Sequence, residues 1–163
     1  MENGVVLIYY GQGHGKSTAA IGNAIHAASE GKSSIVIQFL KGKSEVEQEY
    51  YSQLEPQIKF FGFAKAEVNF DELSEEQKQE EIMNLKNGFN YGKKVIATGA
   101  CDLVVLDEVL GLLDLHVIDI EDVRQMLEAR PEEMTVICTG RTFDERLSEL
   151  VDEIYNIVPE KTG

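Results

Sequence analysis

The strongest constraint on this chain lies near its start. An apolar run, Val5–Tyr10, leads directly into Gly11-Gln12-Gly13-His14-Gly15-Lys16-Ser17-Thr18. The run reads as a buried strand, and the residues from Ser17 onward read as a helix. Three alternating glycines let backbone N–H groups turn inward around an anion, and the helix brings its positive end to the same place. Such a junction suits the phosphates of a nucleoside triphosphate. Lys16 would reach the terminal phosphates, and the Ser17 hydroxyl would touch a bound Mg²⁺. The usual motif has a glycine where this chain has Tyr10, so the loop is a variant.

At 163 residues with 43% hydrophobic content, the chain is expected to form one domain over residues 1–163 with a real core. No apolar run approaches the roughly 20 residues that span a bilayer. No basic stretch followed by an apolar one opens the chain, so no signal peptide is read and a cytoplasmic location is expected. The formal charge of -14 argues against nucleic acid or anionic lipid as partner. A triphosphate would then need local positive potential, for which the candidates are Lys16, Lys41, Lys43, Arg141, the helix end and a metal ion. The acids between Glu67 and Glu81 read as a solvated face. Cys101 and Cys138 read as buried free thiols in a reducing compartment.

Strands and helices alternate along the sequence. Strands are expected at Val5–Tyr10, Ser34–Leu40, Ile58–Phe61, Asp102–Leu106, Met134–Thr139 and Ile154–Val158. The first helix should bury Ala20, Ile21, Ala24, Ile25 and Ala28, and end at Gly31. A polar helix fits 45–54. Ser74 opens a long helix in capping-box spacing with Gln77, and Ile82, Leu85, Phe89 and Ile96 mark its buried stripe. Asp119 caps a helix that stops at Arg130-Pro131. Thr142 and Glu145 are spaced as a further capping box, with a helix through Val151. This alternation predicts a three-layer α/β/α fold around a mainly parallel sheet of about six strands.

Ligands of such sheets bind beyond the carboxyl ends of the strands, and the polar signals fall there. The glycine loop follows strand one. Gln38, Lys41 and Lys43 close strand two. Asp107-Glu108 follow Leu103-Val104-Val105-Leu106, the apolar-strand-then-carboxylate pattern that holds Mg²⁺ in NTPases. Thr139-Gly140-Arg141 close strand five, and the Arg141 fork suits phosphate. Each residue also has a plainer reading: capping acids, solubilising lysines, a surface ion pair for Arg141 and an exposed loop residue for His14. His26 and His116 lack metal-ligand spacing. Phe60, Phe61 and Phe63 either pack in the core or wall a flat organic substrate.

Together these residues resemble the P-loop ATP:corrinoid adenosyltransferases. That family's loop reads Gly-Asn-Gly-Lys-Gly-Lys-Thr-Thr, also without the leading glycine. Val36-Ile37-Gln38-Phe39-Leu40-Lys41-Gly42, Asp102-Leu103-Val104-Val105-Leu106-Asp107-Glu108, Arg130-Pro131 and Thr139-Gly140-Arg141 are similar to its other segments. The likeness runs from about Val5 to Val158. It implies a RecA-like P-loop NTPase fold and transfer of the 5′-deoxyadenosyl group of ATP to the Co(I) centre of a reduced corrinoid, with release of triphosphate. It implies catalytic roles for Lys16, Glu108 and Arg141. ATP and substrate contacts would come from Gly11 to Thr18, Lys41, Phe63 and Arg141. Mg²⁺ or Mn²⁺ would sit on Ser17, Asp107 and Glu108. A homodimer and a reductase partner are also implied.

Four departures are visible. Leu110-Gly111 stand where the family has Asn-Tyr, and Gly62-Phe63-Ala64-Lys65 where it has Gly-Phe-Thr-Trp. His14 replaces the loop lysine, and the chain has no tryptophan. The ATP half of the pattern is therefore closer to the family than the corrinoid half. Two other functions fit the residues alone: a nucleotide or small-molecule kinase or ATPase, and a non-enzymatic ATP-binding partner protein.

Overall fold

The computed structural model describes residues 3–39, 45–63 and 70–162. Among these residues six strands form one sheet: β1 (Val6–Tyr10), β2 (Ser34–Gln38), β3 (Ile58–Gly62), β4 (Leu103–Asp107), β5 (Thr135–Gly140) and β6 (Glu153–Asn156). Their order is β3-β2-β4-β5-β1-β6, and every pair is parallel. The register sets Tyr10 beside Gly140, Leu106 beside Cys138 and Gln38 beside Asp107. All these strands therefore exit on one edge, with β5 interposed between β1 and β4.

Among the described residues, five α-helices cover the two faces: α1 (Lys16–Ser29), α2 (Glu45–Ser52), α3 (Glu75–Thr98), α4 (Val109–Asp114) and α5 (Ile120–Glu128). Side chains alternate across each strand. Leu7, Val36, Val105 and Ile137 point to the α1 side, where Ala20, Ala24 and Ala27 meet them. Ile8, Ile37, Leu106 and Cys138 point to the other side, against Leu85, Phe89 and Ile96 of α3 and Val123 and Met126 of α5. Alanines bring α1 close to the sheet, whereas the opposite layer is filled by larger residues. Leu85 and Ile96 are completely buried, and truncating either to alanine costs about 2–5 kcal/mol.

The sequence reading needs four corrections here. Ile25 is 51% exposed and Ala27 is buried in its place, because the inward stripe of α1 advances from 20 to 24 to 27. Glu81 is buried at 6% exposure, so the acidic stretch is not solvated throughout. The helix expected after Thr142 is a 3-10 segment, Glu145–Leu150, capped by the Asp144 carboxylate accepting from the Arg146 amide. Thr142 instead donates its hydroxyl to Asp114. Finally, α4 was not anticipated. Its six residues are too few to show a helical period.

Other expectations hold. The expected Ser74–Gln77 capping box is closed, and Asp119 caps its helix as expected, with Asp122 completing a box that the sequence reading did not name. Gly31 is left-handed at φ 82° after the end of α1. Cys101 and Cys138 are free and buried, and burial pushes their thiols up to about 11 and about 12.

A candidate nucleotide site at the strand exits

Behind β1 the chain turns sharply. Gly11 (φ 131°) and Gly15 (φ 107°) adopt backbone conformations that side chains resist. A Cβ on Gly11 would lie 2.2 Å from the Ile157 carbonyl oxygen, so this position also needs glycine for space. The loop is braced from behind. Gly11 N–H donates to Gly140 at 3.1 Å, Gly13 N–H to Ile157 at 3.2 Å, and Ile157 N–H to Tyr10 at 2.7 Å. The segment after β6 thus holds the loop through backbone bonds, and no side-chain pattern marks that role in the sequence.

Within the loop, Gly11 and Gly13 are buried, while Gln12, His14 and Gly15 are exposed. Thr18 is exposed in the first turn of α1. Gly15 caps the helix without a side-chain bond, which leaves its first amides open to an anion. Lys16 Nζ donates to the Gly13 carbonyl at 2.9 Å, folded back over the loop.

The loop and the carboxylate strand meet across β5. Ser17 Oγ donates to Asp107 Oδ1 at 2.7 Å. Thr139 Oγ1, from β5, donates to the same oxygen at 2.8 Å. Gln38 Nε2 reaches Asp107 Oδ2 at 3.5 Å. Asp107 is only 7% exposed, so it needs this set of donors, since a buried charge without partners is costly.

Glu108 follows with φ 67° and ψ 20°, a left-handed conformation that costs a non-glycine residue about 1–2 kcal/mol. Its amide donates to Thr139 Oγ1 at 2.8 Å. Burial, and then the Asp107 charge, push the Glu108 carboxyl above the usual carboxylate range. Lys16 and Arg141 oppose the shift, so both cations act on this carboxyl. Arg141 itself is exposed at the exit of β5. Gly140 admits α4: a Cβ there would lie 2.4 Å from Leu110 Cβ.

A hydroxyl and two carboxylates form an oxygen donor set that suits Mg²⁺ or Mn²⁺. Gln38 Oε1, on the side chain that reaches Asp107, is buried without a hydrogen-bond partner among the described residues, and a water could fill that need. The donor set and this orphaned acceptor fit a hydrated divalent ion. The sequence singles out Gln38 and Thr139 as polar residues at strand ends but assigns them no ATP, metal or catalytic role. Their position at strand ends was visible in the sequence, but their hydrogen bonds were not.

The expected aromatic wall divides. Phe60 stacks on Tyr51 at 4.1 Å on the α1 side. Phe61 and Phe63 turn to Tyr91 of α3, at 5.1 and 5.9 Å. Phe63 also lies over Gly88, where a Cβ would fall 2.6 Å from its ring. Lys41, Lys43 and Ala64-Lys65 lie outside the described residues. A cavity of about 410 Å³ beside α4, lined by Asp114, His116, Asp119 and Arg146 among others, contains none of the expected site residues.

The KaiC-like protein PH0186 from Pyrococcus horikoshii superposes with a TM-score of 0.63 at 17% identity, covering 100% of this chain and 76% of that one. It shares the fold. The corrinoid adenosyltransferase of Escherichia coli K12 is 30% identical over 160 residues, 98% of this chain and 79% of that protein. The corrinoid adenosyltransferase CobA of Salmonella typhimurium is 31% identical over the same shares. The Pseudomonas aeruginosa corrinoid adenosyltransferase is 27% identical over 94% of this chain and 74% of its own. These matches do not favour the kinase, ATPase or non-enzymatic readings. The ATP:corrinoid adenosyltransferase BtuR/CobO/CobP family profile matches residues 2–162, and the chain belongs to that family.

Proposed function

We propose that this chain, acting as one nucleotide-binding domain, moves the 5′-deoxyadenosyl group of ATP onto the cobalt of a reduced corrinoid. Co(I) supplies the electron pair for a new Co–C5′ bond and becomes Co(III). The C5′–O bond breaks, and its electron pair leaves on triphosphate. No protein nucleophile is required, because the corrinoid carries the hard chemistry. The chain's task is to hold C5′ in line and to stabilise the departing charge.

The loop amides, Lys16 and Arg141 would bind the triphosphate, with Gln12, His14 and Thr18 at its margin. Ser17, Asp107 and Glu108 would hold Mg²⁺ or Mn²⁺, which when bound neutralises charge on the leaving oxygens. Lys16 would first release Gly13 to reach phosphate. Phe63 and Lys41 would border the acceptor. The reading carries a homodimer, an external reductase for the corrinoid and a cytoplasmic setting. Among the described residues no helix is long and apolar enough to cross a membrane.

The observation that carries this reading is the 2.7 Å contact between Ser17 and Asp107, which joins loop and carboxylate across β5. Mass analysis after incubation with ATP, Mg²⁺ and chemically reduced corrinoid tests it. An adenosylated corrinoid is expected; unmodified corrinoid, with the cobalt verified as Co(I), would reject it.

A further inference from the structure

We infer that Thr139 is a positioning residue that sets both acids of the site through one hydroxyl. The inference rests on the reading that Asp107 and Glu108 serve metal-bound ATP. Thr139 is fully buried at the end of β5. Its side chain has a single proton to give, and that proton goes to Asp107 Oδ1 at 2.8 Å. An oxygen lone pair then accepts the Glu108 amide at 2.8 Å.

The two bonds do different work. The first gives Asp107 Oδ1 a second donor beside Ser17, which fixes that oxygen toward the loop. The second holds the amide of a residue whose backbone is left-handed. That conformation turns the chain out of β4 into α4 at Glu108, whose own carboxyl is the one on which Lys16 and Arg141 act. A residue that only filled space here would need neither bond. Valine has nearly the same shape as threonine, but it offers no donor and no acceptor.

Partners of this kind typically change metal affinity by about 10- to 100-fold when removed. The test is calorimetric titration of ATP into the full chain at a series of Mg²⁺ concentrations, without corrinoid. Thr139→Val is expected to raise the Mg²⁺ concentration that half-saturates the gain in ATP affinity by about tenfold or more, and to leave metal-free ATP binding unchanged. Thr139→Ser, which keeps the hydroxyl, is expected to follow the parent.

A valine variant with the parent's Mg²⁺ dependence overturns the inference. So does one that weakens ATP equally with and without metal, since that is a packing effect. If the valine variant does not fold, a folded serine variant with a displaced Mg²⁺ midpoint overturns it as well. A parent that binds no ATP at all overturns the underlying reading instead.

Discussion

The two halves of the strand-exit edge are built differently. Around β1, β5 and β4, the parts are glycine turns, hydroxyls and carboxylates locked by bonds of 2.7–2.8 Å. Around β2 and β3, they are aromatic rings laid on α3, with Phe63 over Gly88 and both Phe61 and Phe63 against Tyr91. The first half positions charges through directional contacts, which tolerate little change. The second is shaped by packing, which tolerates swaps of similar volume. A phosphate site needs the former. A wall for a large flat acceptor needs only shape and apolar surface. On the proposed reading, this accounts for a chain that keeps the nucleotide motif closely while departing from the family pattern around Phe63.

The largest effect is expected on the polar half. Lys16→Ala should lower kcat/KM by about 10²–10³, the range for losing one charge-stabilising donor. Its melting temperature should stay near the parent's, because among the described residues the hydrogen bond of Lys16 goes to its own loop and Arg141 still acts on Glu108. Steady-state kinetics with a thermal melt check this, and parent-like kinetics would remove Lys16 from the site.

The packed half should fail in a different way. Gly88→Ala places a Cβ 2.6 Å from Phe63, and such overpacking costs about 1–3 kcal/mol, partly offset by about 0.5–1 kcal/mol of helix preference. We expect a lower melting temperature, unchanged ATP affinity and a raised KM for corrinoid. If ATP affinity fell instead, the two halves would not be separable in the way described.

Both outcomes bear on how much of the molecule the sequence discloses. The parallel sheet, the Ser74–Gln77 capping box, the Asp119 cap and the loop were legible because each depends on local rules: apolar period, side-chain capping and glycine conformation. The carboxylate pair was legible because it sits at the end of an apolar run. The Thr139 bonds were hidden, because they join strands far apart in sequence. The brace at Ile157 was hidden because it is made by backbone alone. The short α4 escaped detection, although Gly140 is the mark it leaves: a residue with no Cβ where Leu110 must fit.

A subtler prediction concerns Glu108. Its carboxyl is raised from an ordinary 4.5 by burial and by Asp107, so the folded chain binds that proton more tightly than the unfolded chain. Ligand-free stability should therefore fall as pH rises from about 4.5 through the raised folded value. Glu108→Gln lacks this titration. It should be more stable than the parent at neutral pH, with the difference closing as pH drops below that range. Parallel stability profiles from chemical denaturation would show that Glu108 is not strained by burial in the way described.

The smallest effect concerns the core between the two halves. Cys138 is fully buried with its thiol near 12, so alkylation at pH 8 should proceed only as fast as the protein opens. Rapid labelling of the native chain would mean that β5 is loosely held.

Phosphorus NMR of the reaction with ATP, Mg²⁺ and reduced corrinoid tests the central claim most directly. The account predicts intact triphosphate, formed in one-to-one ratio with adenosylated corrinoid. ADP and inorganic phosphate as the primary products would contradict it.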